Sequence, residues 1–391
     1  MKLPVSSANP SLLRWARSTA GLSVQEVVRK ANISGLSQIT AEERLLSLED
    51  GSATPTLSQL KGLAKVYRRP LVTFFLAEPP VQMEPLMDYR TATKVSHESV
   101  EFSALKRRIL QLHRELSAIA NDEQTVPLSF VGSCKFQDGA LTTVDAIRRI
   151  LSISPADLLN KSSDDTFRIL RDKAQEAGVY ILLMSDLGNY KSQINPDEFR
   201  GIAIADKLVP LIVVNKNDTD SAMLFTLVHE LAHIFLGSSG VSNLDVFESR
   251  PSHKAVEQFC NAVAAELLVP EEMLRSSWDD KCEELESCVA QLAHNFGVSK
   301  EVISRRLYDL GVIEESEYRR IIGLYKARWE HHKLRNSTTK GGPNSNTLLR
   351  YNLGKNTLST LSRAVDDGLI SILDAARALD MTVSRFEKVA K

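Results

Sequence analysis

The feature that most constrains how this chain folds is a pair of histidines, His229 and His233, in a strongly apolar segment. Residues four apart lie on one face of an α-helix, so both imidazoles can reach one tetrahedral metal ion. Glu230 lies close to the same face and can take a proton from a water molecule at the open coordination position. Two hydrogen-bonded core histidines are the alternative interpretation, but polar groups on a buried helix are costly without partners. The pattern therefore predicts a helix that holds one zinc ion per chain, with Glu230 as the catalytic base.

A third ligand must come from elsewhere in the chain, because a catalytic zinc usually has three protein ligands and one open position. Residues 255–268 are predicted to form a second apolar helix, and Glu257 and Asn261 share one face of it. Glu257 could bind the metal, while Asn261 accepts a hydrogen bond from a ligand imidazole and selects its tautomer. On spacing alone, a solvated Glu257 is the simpler interpretation. The competing third ligands are His253, Asp245, Glu248 and Cys260.

Three stretches of the sequence resemble the ImmA/IrrE family of metallo-endopeptidases, in the form preceded by an Xre-type helix-turn-helix. They are residues 199–206, 225–233 and 257–270. The resemblance implies a gluzincin-like site, with Glu257 as third zinc ligand and Asn261 as an outer partner of a ligand. It also implies cleavage of a protein partner, an Xre-type transcriptional repressor, so that loss of repression turns genes on.

The resemblance also implies a substrate strand, and a strand predicted at residues 210–215 precedes the active helix. If this strand lies at the edge of the sheet, an extended peptide can pair with it. Leu211, Val213 and Asn215 are therefore the candidate substrate-strand residues. Tyr190 and Arg200 are candidates for stabilising the oxyanion, although a structural role explains each of them more simply.

Residues 12–76 resemble an Xre-type helix-turn-helix, with the second helix of the motif predicted at 40–48. In such folds this helix enters the major groove of DNA, but here it offers acidic residues and one arginine. Residues 1–76 nevertheless carry ten basic residues against five acidic ones. Double-stranded DNA, a protein partner and homodimerisation alone all remain open. The candidate binding residues are Arg14, Arg17, Arg29, Lys30 and Arg44.

The predicted fold class is α+β and mostly helical. It combines an N-terminal all-α helix-turn-helix, a central zincin-like domain with a small sheet, and a helical C-terminal region. Strands are predicted at 179–184, 201–205 and 211–214. The predicted divisions are 1–78 (helix-turn-helix), 79–164 (linker and helical connector), 165–275 (metallopeptidase), 276–334 (helical, helix-turn-helix-like) and 335–391 (loop and helical tail).

Net charge and cysteine content indicate which partners and which cellular compartment to expect. A formal net charge of -1 gives no global attraction to nucleic acid or membrane. No apolar run approaches the roughly 18 residues that a membrane span needs. Four cysteines without a CxxC spacing are typical of reduced thiols, so we expect a cytoplasmic protein.

Two other functions are open at this stage. One is a DNA-binding regulator or an antitoxin that binds a toxin partner, with a structural or vestigial metal site. The other is an autoprocessing protein, for which the polar segment 335–346 is the predicted cut site.

Overall fold

The computed structural model describes residues 8–35, 39–80, 87–88, 98–188, 192–242, 254–279, 282, 284–333 and 345–390. The chain folds as two compact units. The first comprises residues 1–85, 95–111 and 186–194, and the second comprises 86–94, 112–185 and 195–391. Most of the proline-rich linker predicted at 78–85, and most of the segment 335–346, lie outside the described residues.

The first unit is built from short helices with well-defined starts. They are α1 (Pro10–Thr19), α2 (Val24–Ala31), α3 (Ala41–Asp50), α4 (Leu57–Val66) and a 3-10 helix (Leu71–Phe75). Ser23, Thr40 and Thr56 each begin a helix with a capping box, which satisfies amide groups that lack helical partners. The helix predicted at 40–48 is observed as α3. Whether α2 and α3 act as a helix-turn-helix stays a prediction.

The sequence predicts one amphipathic helix at 98–120, which is observed as α5 (Val100–Asp122). The residues of α5 are divided between the two units. The remaining helices belong to the second unit. They are α6 (Ala140–Leu151), α7 (Pro155–Leu158), α8 (Ser163–Glu176), α9 (Asp220–Leu236), α10 (Lys254–Leu268), α11 (Glu271–Ser277), α12 (Leu285–Phe296), α13 (Lys300–Asp309), α14 (Glu315–Lys333), α15 (Ser345–Leu353), α16 (Lys355–Asp366), α17 (Ile372–Ala378) and α18 (Val383–Ala390). The tail was predicted to hold two or three short helices, and its described part holds four.

The described residues of the second unit contain a mixed five-stranded sheet in the order β1-β5-β3-β4-β2. The strands are β1 (Met87–Asp88), β2 (Tyr180–Leu183), β3 (Gly201–Ile204), β4 (Leu211–Val214) and β5 (Gly240–Ser242). The three predicted strands are confirmed as β2, β3 and β4. The short strands β1 and β5 were not predicted, because they carry no run of alternating or continuous apolar residues long enough to signal a strand.

The strand predicted at 210–215 does not lie at an edge of the sheet, so the condition for pairing with a substrate peptide is not met. β4 pairs with β3 on one side and with β2 on the other, so its backbone hydrogen bonds are already used within the sheet. Leu211, Val213 and Asn215 are all fully buried. A substrate peptide therefore cannot pair with these residues as an added strand.

The main core of the second unit surrounds α9, which packs against α8, α10, β3 and β4. α9 is apolar on nearly all of its faces, as expected for a helix enclosed on every side. This packing brings α10 alongside the segment that contains the two histidines. The fold thus places residues from two separate parts of the sequence next to each other.

The prediction of reduced thiols is wrong for two of the four cysteines. Cys282 and Cys288 form a disulfide, whereas Cys134 and Cys260 are free and buried. The two bonded residues are six positions apart, a spacing that no common motif marks. Among the described residues, no helix combines the length and the apolar character needed to span a membrane.

Candidate metal centre

The two histidines lie in the middle of α9, which Thr219 caps at its start and Gly237 ends in a left-handed conformation. The Thr219 side chain accepts a hydrogen bond from the amide of Ala222. Long apolar side chains around the helix place its centre inside the core. As a result His229, Glu230 and His233 are all fully buried, where each polar side chain needs a partner.

Glu257 on α10 supplies that partner for both imidazoles. Its carboxylate oxygens lie 3.3 Å from His229 Nε2 and 3.1 Å from His233 Nε2. The two Nε2 atoms are 3.1 Å apart. Ligands bound tetrahedrally to zinc at about 2.0 Å are separated from one another by about 3.3 Å. The three side chains therefore have the spacing needed to share one ion, and they form the candidate metal-binding group of the described residues.

Asn261, one turn along α10 from Glu257, orients the first imidazole. Its side-chain oxygen lies 3.0 Å from His229 Nδ1. An amide oxygen can only accept a hydrogen bond, so Nδ1 is the donor, and in the neutral form of the imidazole Nε2 is the nitrogen with the lone pair. That lone pair points toward His233 and Glu257, so it can bind a metal ion held between the three side chains.

The comparison with known families agrees with this geometry. Residues 174–308 match the Peptidase_M78 family model, the IrrE N-terminal-like domain. The match covers about a third of the chain and includes both α9 and α10. It supports the ImmA/IrrE resemblance and a metallopeptidase of this type. Comparison with curated proteins gives no match to the chain.

The surroundings of Glu257 favour its ionised form. Burial raises the pKa of the Glu257 carboxyl. The opposing effect of His229 and His233 is larger in total and lowers this pKa to about 2. Burial raises the pKa of the nearby Cys260 thiol, and the negative charges of Glu257 and Glu230 raise it further. Cys260 therefore stays a neutral thiol, and it is not part of the metal-binding group.

Three of the alternative third ligands, Asp245, Glu248 and His253, lie outside the described residues. Of the two candidates for oxyanion stabilisation, Tyr190 also lies outside them. Arg200 is described, and its Nε lies 3.4 Å from Asp218 Oδ2.

Glu230 occupies a slot that sequence analysis did not identify. Its carboxylate lies directly over the backbone of Gly201, the first residue of β3. A glycine within a predicted strand often marks a point where another group approaches the backbone closely, and Gly201 is such a glycine. The partner of Gly201 could not be named from sequence, because it lies 29 residues away on a different element.

The candidate binding residues of the first unit have different environments. Arg14, Arg29 and Lys30 are exposed, and Arg44 is half-buried. Arg17 instead forms an ion pair with Glu49, with distances of 2.7 and 2.8 Å from its Nε and Nη2 atoms to the carboxylate. This pairing assigns Arg17 to the core of the unit and not to its exposed surface.

Proposed function

We propose that this protein is a zinc-dependent endopeptidase that cleaves a protein partner, an Xre-type transcriptional repressor, to control gene expression. The observation that carries the proposal is the convergence of His229, His233 and Glu257 beside the buried Glu230. Two imidazoles and one carboxylate are a typical ligand set of hydrolytic zinc, since they leave one coordination position open. A cytoplasmic setting follows from the proposed substrate.

Each side chain has a distinct role in hydrolysis. When bound, zinc supplies Lewis acidity, which polarises the scissile carbonyl and makes water acidic at neutral pH. Glu230 takes a proton from the attacking water and later donates a proton to the leaving amine. Asn261 keeps His229 in the tautomer whose Nε2 can bind the metal. Burial of Glu230 strengthens its electrostatic interactions, because water screens them little.

The first unit is proposed to recognise the protein partner as a helix-turn-helix module. α3 begins with the acidic residues Glu42 and Glu43, and Leu46 on the same helix is 45% exposed. Acidic groups at the start of a groove-reading helix repel phosphates, whereas an exposed leucine offers apolar area to a protein surface. This surface favours a protein partner over double-stranded DNA.

The proposal is tested by comparing cells that produce the wild type with cells that produce Glu230→Gln. The variant keeps the three ligands but lacks the base, so we expect it to bind zinc and to cut nothing. Mass spectrometry of new protein N-termini reports cleavage, and elemental analysis of the purified protein reports zinc. Glu301→Gln, an exposed position on α13, is the matched control and should cut like the wild type.

The same comparison separates the competing functions. New N-termini in the partner protein, present with the wild type and absent with Glu230→Gln, support a protease. New N-termini only within this chain indicate autoprocessing. Identical termini with both proteins, together with an unchanged effect on gene expression, indicate a binding regulator or antitoxin and contradict the proposal.

A further inference from the structure

Gly201 lies where the sheet meets the active helix. It is the first residue of β3, and its backbone pairs with Val214 of β4 and with Ser242 of β5. The side chain of Glu230 reaches this point from α9, so the carboxylate is placed against the strand at a residue that has no side chain.

No side chain fits at position 201 while Glu230 keeps its place. A Cβ atom added to Gly201 would lie 2.1 Å from Glu230 Oε1, 2.6 Å from Cδ and 2.7 Å from Cγ. Real Cβ atoms essentially never approach another heavy atom within 3.0 Å. All three of these neighbours belong to one side chain, which means that the space of the missing side chain is filled by the proposed catalytic base.

The backbone of Gly201 cannot move away to make room. The strand is paired on both sides at this residue, and the preceding residues are held by Asn215 at the end of β4. The backbone N–H of Asn215 donates a hydrogen bond to the backbone oxygen of Arg200 at 2.9 Å. The side-chain Nδ2 of Asn215 donates a second one to the backbone oxygen of Phe199 at 3.0 Å. Asn215 is fully buried, so these bonds are protected from water. An added methyl group must therefore displace Glu230.

We propose that Gly201 is a positioning residue, whose missing side chain forms the slot that holds the Glu230 carboxylate in reach of the attacking water. The effect on hydrolysis rests on the proposed function, but the steric coupling between the two residues does not. Proton transfer needs heavy atoms about 2.6–3.2 Å apart, and a displacement of about 1 Å can cost about a hundredfold in rate. Replacing Gly201 should thus act on the base and leave the three metal ligands in place.

The steric part is tested by a double-mutant cycle on the metal-free full-length protein. Thermal unfolding is measured for the wild type, Gly201→Ala, Glu230→Ala and the double variant. We expect Gly201→Ala to lower Tm by at least about 3 °C in the wild type and by less than about 1 °C in the Glu230→Ala background. Gly323→Ala in α14, where an added Cβ meets nothing within 4 Å, is the matched control and should not lower Tm.

Each outcome of the cycle decides the steric proposal. Equal losses of Tm in the two backgrounds would overturn it, because the added methyl would then clash with something other than Glu230. If Gly201→Ala does not fold, the double variant decides the question. Folding restored by Glu230→Ala supports the slot, and failure of both variants contradicts it.

The functional part is tested with zinc and with a fluorogenic peptide that spans a cut site mapped with the wild type. Gly201→Ala should bind zinc within about threefold of the wild-type affinity, since no ligand is touched. Its kcat per bound zinc should fall at least about a hundredfold with little change in KM, as expected when only the base is misplaced. An unchanged kcat, or a parallel loss of zinc affinity, would overturn the positioning role.

The two tests also separate this inference from the proposed function. Coupling in the metal-free cycle without any cleavage by the wild type would leave the slot intact and remove the peptidase. Cleavage by the wild type without coupling in the metal-free cycle would support the peptidase and contradict the slot.

Discussion

Each of the two units buries a glutamate, but the two carboxylates have different kinds of partner. Glu49 in the first unit is 2% exposed, and the guanidinium of Arg17 meets both of its oxygens. Glu257 in the second unit is 5% exposed, and two imidazole nitrogens meet it. Arginine offers only N–H donors, whereas an imidazole nitrogen can also offer a lone pair to a metal ion.

The comparison shows how a buried carboxylate paired with a cation differs from one that could hold a metal ion. Around Glu49 the chain supplies its own cation, so charge and hydrogen bonds are complete within the unit. Around Glu257 the same kind of burial brings together three electron-pair donors, which a divalent cation would stabilise. The difference does not follow the division into units, because Glu266, on the same helix as Glu257, pairs with Arg306.

The largest expected effect is on metal binding at Glu257. Glu257→Gln should weaken zinc binding by about a thousandfold, since a direct ligand is worth more than the 10–100-fold effect of an outer partner. Competition with a zinc chelator measures the affinity. The matched control is Glu266→Gln on the same helix, which removes a carboxylate paired with arginine and should leave zinc binding unchanged. Equal losses in both variants would contradict the distinction between the two carboxylates.

The next effect is on the stability of the first unit. Arg17→Met leaves Glu49 buried without a cation, so the unit should lose about 3 kcal/mol of stability. Hydrogen exchange of peptides from α1 and α3 measures the loss locally. Arg14→Met, an exposed position on the same helix, is the control and should change little. Zinc binding should be the same in both variants, and a loss of zinc in Arg17→Met alone would argue against a purely structural pair.

A smaller effect is expected from the outer partner of the metal site. Asn261→Ala removes the acceptor for His229 Nδ1 and should weaken zinc binding about 10–100-fold. Asn261→Asp keeps an acceptor oxygen and should retain most of the affinity. Gln258→Ala, an exposed position on α10, controls for the helix itself. If Asn261→Ala binds zinc like the wild type, the assigned tautomer of His229 is wrong.

The smallest effect is a difference in the acid stability of the metal-free protein. The folded pKa of Glu257 is about 2, lowered from 4.5, so its ionised form stabilises the fold above about pH 4.5. This contribution is lost as the pH falls through about 2. Urea unfolding of the wild type in that window should depend more steeply on pH than unfolding of Glu257→Gln. Parallel pH dependences would show that Glu257 does not titrate differently in the folded state.

Several features of the site were predictable because they are local. The spacing of His229, Glu230 and His233 places them within one helical turn whatever the rest of the fold does. The same holds for Glu257 and Asn261 on α10. The three longer strands were predictable too, since buried strands are marked by continuous apolar residues.

The errors concern contacts between elements. The substrate strand at 210–215 required an edge position, but which strand pairs with which depends on the path of the whole chain, and β4 lies inside the sheet. The disulfide between Cys282 and Cys288 was missed, because its spacing matches no recognised motif. Arg17 was grouped with the exposed basic residues, although the packing of α1 against α3 pairs it with Glu49.

By itself, the sequence determined the candidate metal-binding helix and the placing of two histidines and a glutamate close together on it, because helical periodicity sets these relations over a few residues. Only the tertiary structure decided that Glu257 meets the two histidines and that Gly201 lies under Glu230. Both contacts join distant parts of the chain, and their distances come from how α9, α10 and β3 pack. Periodicity along a sequence carries no information about such distances, since they depend on the volumes of all the side chains between the elements.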